Sequence, residues 1–291
     1  MKVDKFRTVI IYIIIILLGL VCLLPLLNIV AISFSSSAAV EGNMVGLIPV
    51  GFSTAAYEKI LEDSQFWHSF LISVERVVLT LIINFVLIVL MAYPLSKTNA
   101  QFRGRNIYAN LMIFAMLFNG GMIPTFLLVK SYGLLNTVWA LVLPGAVPIF
   151  NVILVMNFFA AVPKELEEAA FIDGANPFQV LTKIFIPISK PVLATVSLFS
   201  IVGSWNDFYS GLIYMSKAAY YPLMTYIQSL QINVEDLIKQ GNLSAVVDSA
   251  SLGNTNLNAA KIVIAVIPLL LIYPLLQRYF VSGIVVGSVK G

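Results

Sequence analysis

The sequence predicts an all-α fold, a polytopic membrane protein with six transmembrane helices, and three observations predict it. Of the 291 residues, 59% are hydrophobic and only 11% are charged, whereas a soluble domain carries about 25% charged residues. A chain this apolar would expose patches in water that aggregate or bind another greasy surface. The apolar residues gather in six runs, uncharged except for Asp207 in the fifth, near the roughly 20 residues that a helix needs to cross hydrocarbon. The period-two alternation of a membrane barrel is missing from those runs.

The runs place helices at about 9–32, 70–93, 107–129, 137–160, 191–215 and 260–280, in a single transmembrane domain over 1–291. The first follows Lys2, Lys5 and Arg7 as a signal peptide would, but it is too long for a signal core and no small-residue cleavage site follows cleanly. It is read as a retained helix. The third is interrupted by Asn119, Gly120, Gly121 and Pro124, which break a helix and suit a cavity wall. The fifth contains one charge, Asp207. The sixth has 16 uncharged residues, Ile262 to Gln277, with Lys261 and Arg278 expected to snorkel to the two interfaces.

Six crossings put both termini on one side. That side collects eleven of the 17 Lys and Arg residues and the other side six, so the positive-inside rule makes the termini cytoplasmic. The net charge of +3 forms no basic patch, which excludes a nucleic-acid partner. One Cys and one His exclude a disulfide framework and leave no metal site. The outer loops are 33–69 and 216–259, the second rich in Asn, Ser and Gly from Gly241 to Asn258.

The inner loop 161–190 is the most informative segment. Pro163 and the acids Glu165, Glu167 and Glu168 are signals of a helix start. Gly174 ends that helix, and Asn176-Pro177 opens a second one over Phe178 to Phe185. Pro187 and Pro191 are expected to break the chain before the fifth span. The first helix carries small residues, Ala169 and Ala170, beside its acids. Anionic headgroups would repel Glu165, Glu167 and Glu168, so a protein partner suits this helix better than a lipid surface.

The same loop resembles the hallmark loop of permease subunits in ATP-binding cassette (ABC) importers. That pattern is Glu-Ala-Ala, three residues, Gly, nine residues, Ile-x-Leu-Pro. It is matched by Glu168-Ala169-Ala170, Gly174 and Ile184-Phe185-Ile186-Pro187, with Ile186 in place of Leu. Asp173-Gly174-Ala175, Ser204-Trp205-Asn206-Asp207-Phe208 and Gln277-Arg278-Tyr279-Phe280 resemble the carbohydrate branch, that of the maltose permeases. Gly120-Gly121-Met122-Ile123-Pro124-Thr125 and Asn157-Phe158-Phe159 are similar to the subgroup that imports complex oligosaccharides or polysaccharide fragments.

The resemblance implies a bacterial cytoplasmic-membrane permease with no chemistry of its own. Its partners would be a second permease, usually a related but different chain, two ATP-binding subunits and an extracytoplasmic solute-binding protein. The chain shows no Gly-x-x-x-x-Gly-Lys-Ser/Thr phosphate loop, so ATP and Mg belong on a partner and no cofactor is expected here. The loop then contains the coupling helix between spans four and five, with Glu165, Glu168, Ala169, Ala170, Asp173, Gly174, Ala175 and Pro177 as the residues that dock the ATPase. The Gly283, Gly287, Gly291 tail either reaches the ATPase interface or is a loose terminus.

Charges inside spans are costly and need a reason. Three readings stand for Asp207: with Trp205 and Asn206 it lines a sugar path, it is a buried polar group bonded to neighbouring helices, or it lies near the outer headgroups. Asn119 and Gly121 are further pathway candidates. Glu75 and Arg76 read as snorkelling residues or a structural pair. A secondary transporter would need a repeat or midplane ion-coupling charges, a channel a filter segment, and a membrane enzyme clustered polar groups; none is evident. An ABC permease for a non-sugar solute is the alternative within the resemblance.

Overall fold

The computed structural model describes residues 5–118, 120–230 and 255–287, and these are all helix, turn and loop with no strand among them. Residues 1–4, 119, 231–254 and 288–291 lie outside the described residues, as do the expectations placed on them. The chain divides into two compact units, Met1–Trp67 with Tyr226–Pro268, and His68–Thr225 with Leu269–Gly291.

The first unit begins with α1 (Lys5–Ser33). Its side chains from Val9 to Leu27 are exposed on every face, which suits a helix apolar all round only in lipid. Past its end, Ser35 Oγ donates to the Ala31 carbonyl at 2.6 Å and accepts from the Val50 amide at 3.0 Å. Two short helices follow, α2 (Ser37–Glu41) and α3 (Ala55–Glu62). Phe34 stacks between Phe52 and Tyr57, and the Tyr57 hydroxyl lies 2.9 Å from Ser33 Oγ.

Asp63 then does two jobs. Its Oδ1 accepts the Phe66 amide at 2.9 Å, capping the next helix, and its Oδ2 lies 2.8 Å from Lys261 Nζ. The Tyr226 hydroxyl donates to the same oxygen at 3.0 Å. Burial pushes the Asp63 carboxyl up, but bonds from Lys261, the Phe66 amide and Tyr226 outweigh it and hold the group below its ordinary value. Burial and the Asp63 charge push the Tyr226 hydroxyl up. Lys261 is therefore buried and paired, which corrects the expectation that it snorkels: a partner in the chain replaces the headgroup water. The last helix correspondingly starts at Thr255 and runs to Gly287, longer than the expected 260–280.

The second unit is built on α4 (Ser64–Leu95), which continues unbroken through the unit from His68. Its neighbours are broken. α5 (Arg105–Leu117) and α6 (Met122–Ser131) flank a gap at Gly121, whose φ of +93° suits glycine. α7 (Val138–Val142) passes through a 3₁₀ turn, Leu143–Gly145, into α8 (Ile149–Ala160) with a 47° bend. The fourth run was expected as one helix; Pro144 and Pro148 lack the amides it would need. α9 (Lys164–Ile172) and α10 (Pro177–Val180) form a helix–turn–helix.

Beyond α10 the structure departs from expectation. The helix does not stop at Phe185. A π-turn, Leu181–Phe185, leads into α11 (Ile186–Ile188), and Pro187 lies inside this continuous stretch. The chain bends by 83° at Ser189 instead, entering α12 (Lys190–Asn206). A π-turn is one way of accommodating a missing proline amide without ending a helix. The fifth run breaks again at Asp207, before α13 (Tyr209–Tyr214). The last helix, α14, is Thr255–Gly287.

α1 over Thr8–Ser33, α4, and α14 over Thr255–Pro274 are each long and apolar enough to cross a membrane. So are three pairs taken together: α5 with α6, Val138–Gly145 with α8, and Pro177–Ile188 with α12. The core of the second unit joins Ile88, Val89 and Ala92 of α4 to Val152, Val155 and Phe159 of α8 and to Val192, Leu193 and Val196 of α12.

The Asp63 network predicts an acid-sensitive contribution to stability. Asp63→Asn leaves the Lys261 cation buried without its counter-ion, a loss of about 3 kcal/mol for a buried pair. Asp63 is depressed in the folded chain, so its stabilisation is complete above the unfolded value near 3.9 and disappears as pH falls through the folded value. Thermal unfolding in detergent should show a full gap between wild type and variant at pH 7 that closes below about pH 4.

Candidate functional site

Two sites stand out in the second unit: the outward face of α9–α10, and a polar cavity where the helices break. The first owes its shape to local sequence. Pro163 precedes the first turn of α9, whose acids Glu165 and Glu167 are favoured at a helix N-terminus. The helix ends in a Schellman motif. The Ala175 amide donates to the Ala170 carbonyl at 2.9 Å and the Gly174 amide to Phe171 at 3.0 Å, with Gly174 at φ +80°. No atom lies within 4 Å of where a Gly174 side chain would begin, so glycine is needed there for its backbone and not for space. Asn176 and Gln179 form a reciprocal capping box at the start of α10, each bond 2.9 Å.

This turn distributes the acids unequally. Glu165, Glu168, Ala169, Asp173, Gly174 and Pro177 are exposed, and Ala170 and Ala175 are half-buried. Leu166, Phe171 and Phe178 are also exposed, and Ile172 is 86% exposed. A notch of about 480 Å³ opens among Ala170, Asp173, Gly174, Ala175, Gln179 and Lys183. Glu167 points the other way. It is buried, 2.7 Å from Lys97 Nζ, and accepts a longer bond from the Tyr93 hydroxyl at 3.4 Å. Lys97 is sandwiched by aromatic faces, 4.2 Å from the centroids of both Tyr93 and Phe185. Burial pulls its ammonium below the ordinary lysine value, with Glu167 acting against that fall. Grouping Glu167 with the outward acids is thus corrected: the helical period puts it on the packed side of α9.

The second site is held by Arg76 of α4. Its Nη1 donates to the Asp207 carbonyl at 2.9 Å, and its Nη2 to the Asp207 carboxylate and, at 3.5 Å, to the Leu141 carbonyl. The other Asp207 oxygen accepts the Ser210 amide at 3.1 Å, starting α13. Arg76 is only 3% exposed. It neither snorkels nor pairs with Glu75, because the two broken helices offer it carbonyls and a carboxylate. Around it lies a cavity of about 260 Å³ lined by Thr80, Asn84, Asn151, Ser200, Ser204 and Asp207. Asn84 donates to Ser200 Oγ at 3.1 Å. Arg76 Nε, Thr80 Oγ1 and Asn84 Oδ1 are buried without a partner among the described residues, so the cavity presents donors and acceptors suited to water or hydroxyl groups.

Of the described pathway candidates, only Asp207 lines this cavity. Trp205 is buried with its ring edge-on to Phe70 at 5.6 Å, Asn206 is exposed, and Gly121 starts α6. Asn119 lies outside the described residues. Sequence reasoning missed Thr80, Asn84, Ser200 and Ser204. The signal was present: Arg76, Thr80 and Asn84 recur every four residues, as do Ser200 and Ser204, which places each set on one helix face.

The profile of the family described as "Binding-protein-dependent transport system inner membrane component" matches residues 2–286. Protein LplC of Bacillus subtilis is 41% identical over 273 residues, covering 94% of this chain and 91% of that protein. The polygalacturonan/rhamnogalacturonan transport system permease protein YtcP of Bacillus subtilis is 39% identical over 99% of both chains. In a crystal structure of a bacterial ABC transporter involved in import of the acidic polysaccharide alginate, one chain superposes with a TM-score of 0.82. It is 32% identical, covering 96% of this chain and 98% of that one.

The Arg76–Asp207 pair carries a measurable load. Asp207→Leu strands a buried guanidinium and should cost about 3–5 kcal/mol, against Arg76→Met as the other single variant. The double variant Arg76→Met with Asp207→Leu removes both charges and should recover much of that loss. Thermal unfolding of the four proteins as a double-mutant cycle checks it; equal losses in the single and double variants would contradict it.

Proposed function

The chain belongs to the family of binding-protein-dependent transport system inner-membrane components, and on that premise we propose that it is one transmembrane subunit of an ABC importer that moves an oligosaccharide inward by alternating access. The outward face of α9–α10 carries the reading. Acids, alanines and bare apolar side chains surround a notch in a loop that charge counting puts in the cytoplasm. Such a face suits a groove on an ATP-binding subunit. In it, Glu168 offers a charged contact, Ala169 allows close approach and Gly174 sets the turn.

The three long helices and three bent pairs support six crossings, with α9 as the coupling helix between the fourth and fifth and both termini in the cytoplasm. The oligosaccharide class rests on the relatives: a polygalacturonan/rhamnogalacturonan permease and an alginate importer are similar over nearly the whole chain. The further partners of this reading are a second permease of related but different sequence, two ATPase subunits and an extracytoplasmic binding protein. ATP with Mg, on the ATPase subunits, supplies the free energy. This chain's residues receive the movement at α9 and present the polar cavity along the path, a reading in which Asp207, Thr80, Asn84 and Ser204 contact hydroxyl groups or the water that hydrates them.

Co-expression with the partner genes and pull-down tests the docking face. Wild type should bring down an ATPase subunit and a second permease. Glu168→Arg and Gly174→Pro should lose the ATPase and keep the permease, since proline forbids φ +80° and removes the Gly174 amide. Retention of the ATPase by both variants would place docking elsewhere. Transport by the chain alone in vesicles without ATP would overturn the importer reading.

A further inference from the structure

Taking α9 as the docking helix, a reading this inference rests on, the second unit holds a path from it to the polar cavity. Glu167 leaves the docking face and meets Lys97, just beyond the end of α4. The contact is enclosed: Lys97 and Glu167 are about one-tenth exposed, and two aromatic rings cover the ammonium. Following α4 back from Lys97 to Arg76 covers 21 residues, about 30 Å at 1.5 Å per residue. α4 is one helix from Arg76 to Leu95, two residues short of Lys97, although α7–α8 and α12–α13 each break.

Arg76 reaches both breaks at once. It donates to the Leu141 carbonyl, before the Leu143–Gly145 turn, and to the carbonyl and carboxylate of Asp207. Below this level α4, α8 and α12 share one apolar core. We propose that α4 is a transmission rod, in which the Glu167–Lys97 pair fastens one end to the docking helix and Arg76 fastens the other to the hinges of α7–α8 and α12–α13. Movement of α9 is thereby delivered to the cavity lined by Thr80, Asn84 and Asp207. Apolar contacts slide under shear, whereas charge-assisted bonds hold one register. Glu167, Lys97 and Arg76 are positioning residues in this scheme, none of them meeting ATP.

The test uses the complete importer in proteoliposomes, reading ATPase retention, ATP hydrolysis and solute moved per ATP. Glu167→Gln and Lys97→Met should keep the ATPase bound and hydrolysing while transport per ATP falls about five- to tenfold, the scale of a typical coupling between sites. The swap Lys97→Glu with Glu167→Lys should restore most of that ratio. Single variants with a wild-type ratio overturn the rod, as does release of the ATPase by Glu167→Gln, which would make Glu167 a docking contact. Where single variants fail to fold, the swap decides alone: a ratio near wild type supports the tie and a low one overturns it. Failure of the docking reading appears separately, as ATPase retention by Glu168→Arg in the same preparations.

Discussion

A cation taken out of water must take an anion with it, and three times this requirement joins stretches of chain far apart in sequence. Arg76 meets Asp207, Lys97 meets Glu167 and Lys261 meets Asp63. The desolvation of each ion is worth several kcal/mol, so an unpaired arrangement is disfavoured strongly enough to fix which segments meet. Each anion also stands at the start of a helix. Asp63 accepts the Phe66 amide at the head of α4, Asp207 accepts the Ser210 amide at the head of α13, and Glu167 is in the first turn of α9. The carboxylate is stabilised by the helix end, and the cation then locates that end against a distant segment.

Much of the fold was legible because it is written locally. Uncharged runs located the apolar helices, since hydrocarbon demands length and composition and little else. Pro163, Gly174 and Asn176-Pro177 marked the α9–α10 turn because capping and a positive φ are satisfied by residues within a few positions. The breaks were less legible. Pro144 and Pro148 stand in an apolar run that hydropathy alone reads as one span, yet their missing amides leave carbonyls that must find donors elsewhere. One of the donors for these broken helices is Arg76, 65 residues from Leu141. No local pattern specifies a bond of that separation: a place near a helix end suggests snorkelling for Lys261, and snorkelling or a pair with Glu75 for Arg76, and neither points to the partner 131 residues away.

The polar cavity divides the same way. Trp205, Asn206 and Asp207 looked like one sugar-binding group because they are consecutive. α12 ends at Asn206 and Asp207 is extended backbone beyond it, so Asp207 does not continue the helical face that carries Trp205. Trp205 accordingly packs on Phe70 while Asp207 lines the cavity. The group that lines the cavity repeats every four residues, Arg76, Thr80 and Asn84 on one helix and Ser200 and Ser204 on another. Spacing carried the information that adjacency concealed, and only the long-range pairing of the helices turned two stripes into one site.

The acids of α9 give the same lesson a functional edge. Composition lumps Glu165, Glu167 and Glu168 together, and any one of them could be a solvated charge. Burial of Glu167 beside Lys97 leaves the other two outside, on a face that also bares Leu166, Phe171 and Ile172. Neither bulk water nor an anionic lipid surface suits that mixture: water disfavours the exposed apolar groups, and lipid headgroups repel the carboxylates. A protein groove with apolar walls and a basic residue satisfies both demands at once. The packed side of α9 is occupied by the Glu167–Lys97 pair, which leaves the outer side as the face presented to a partner.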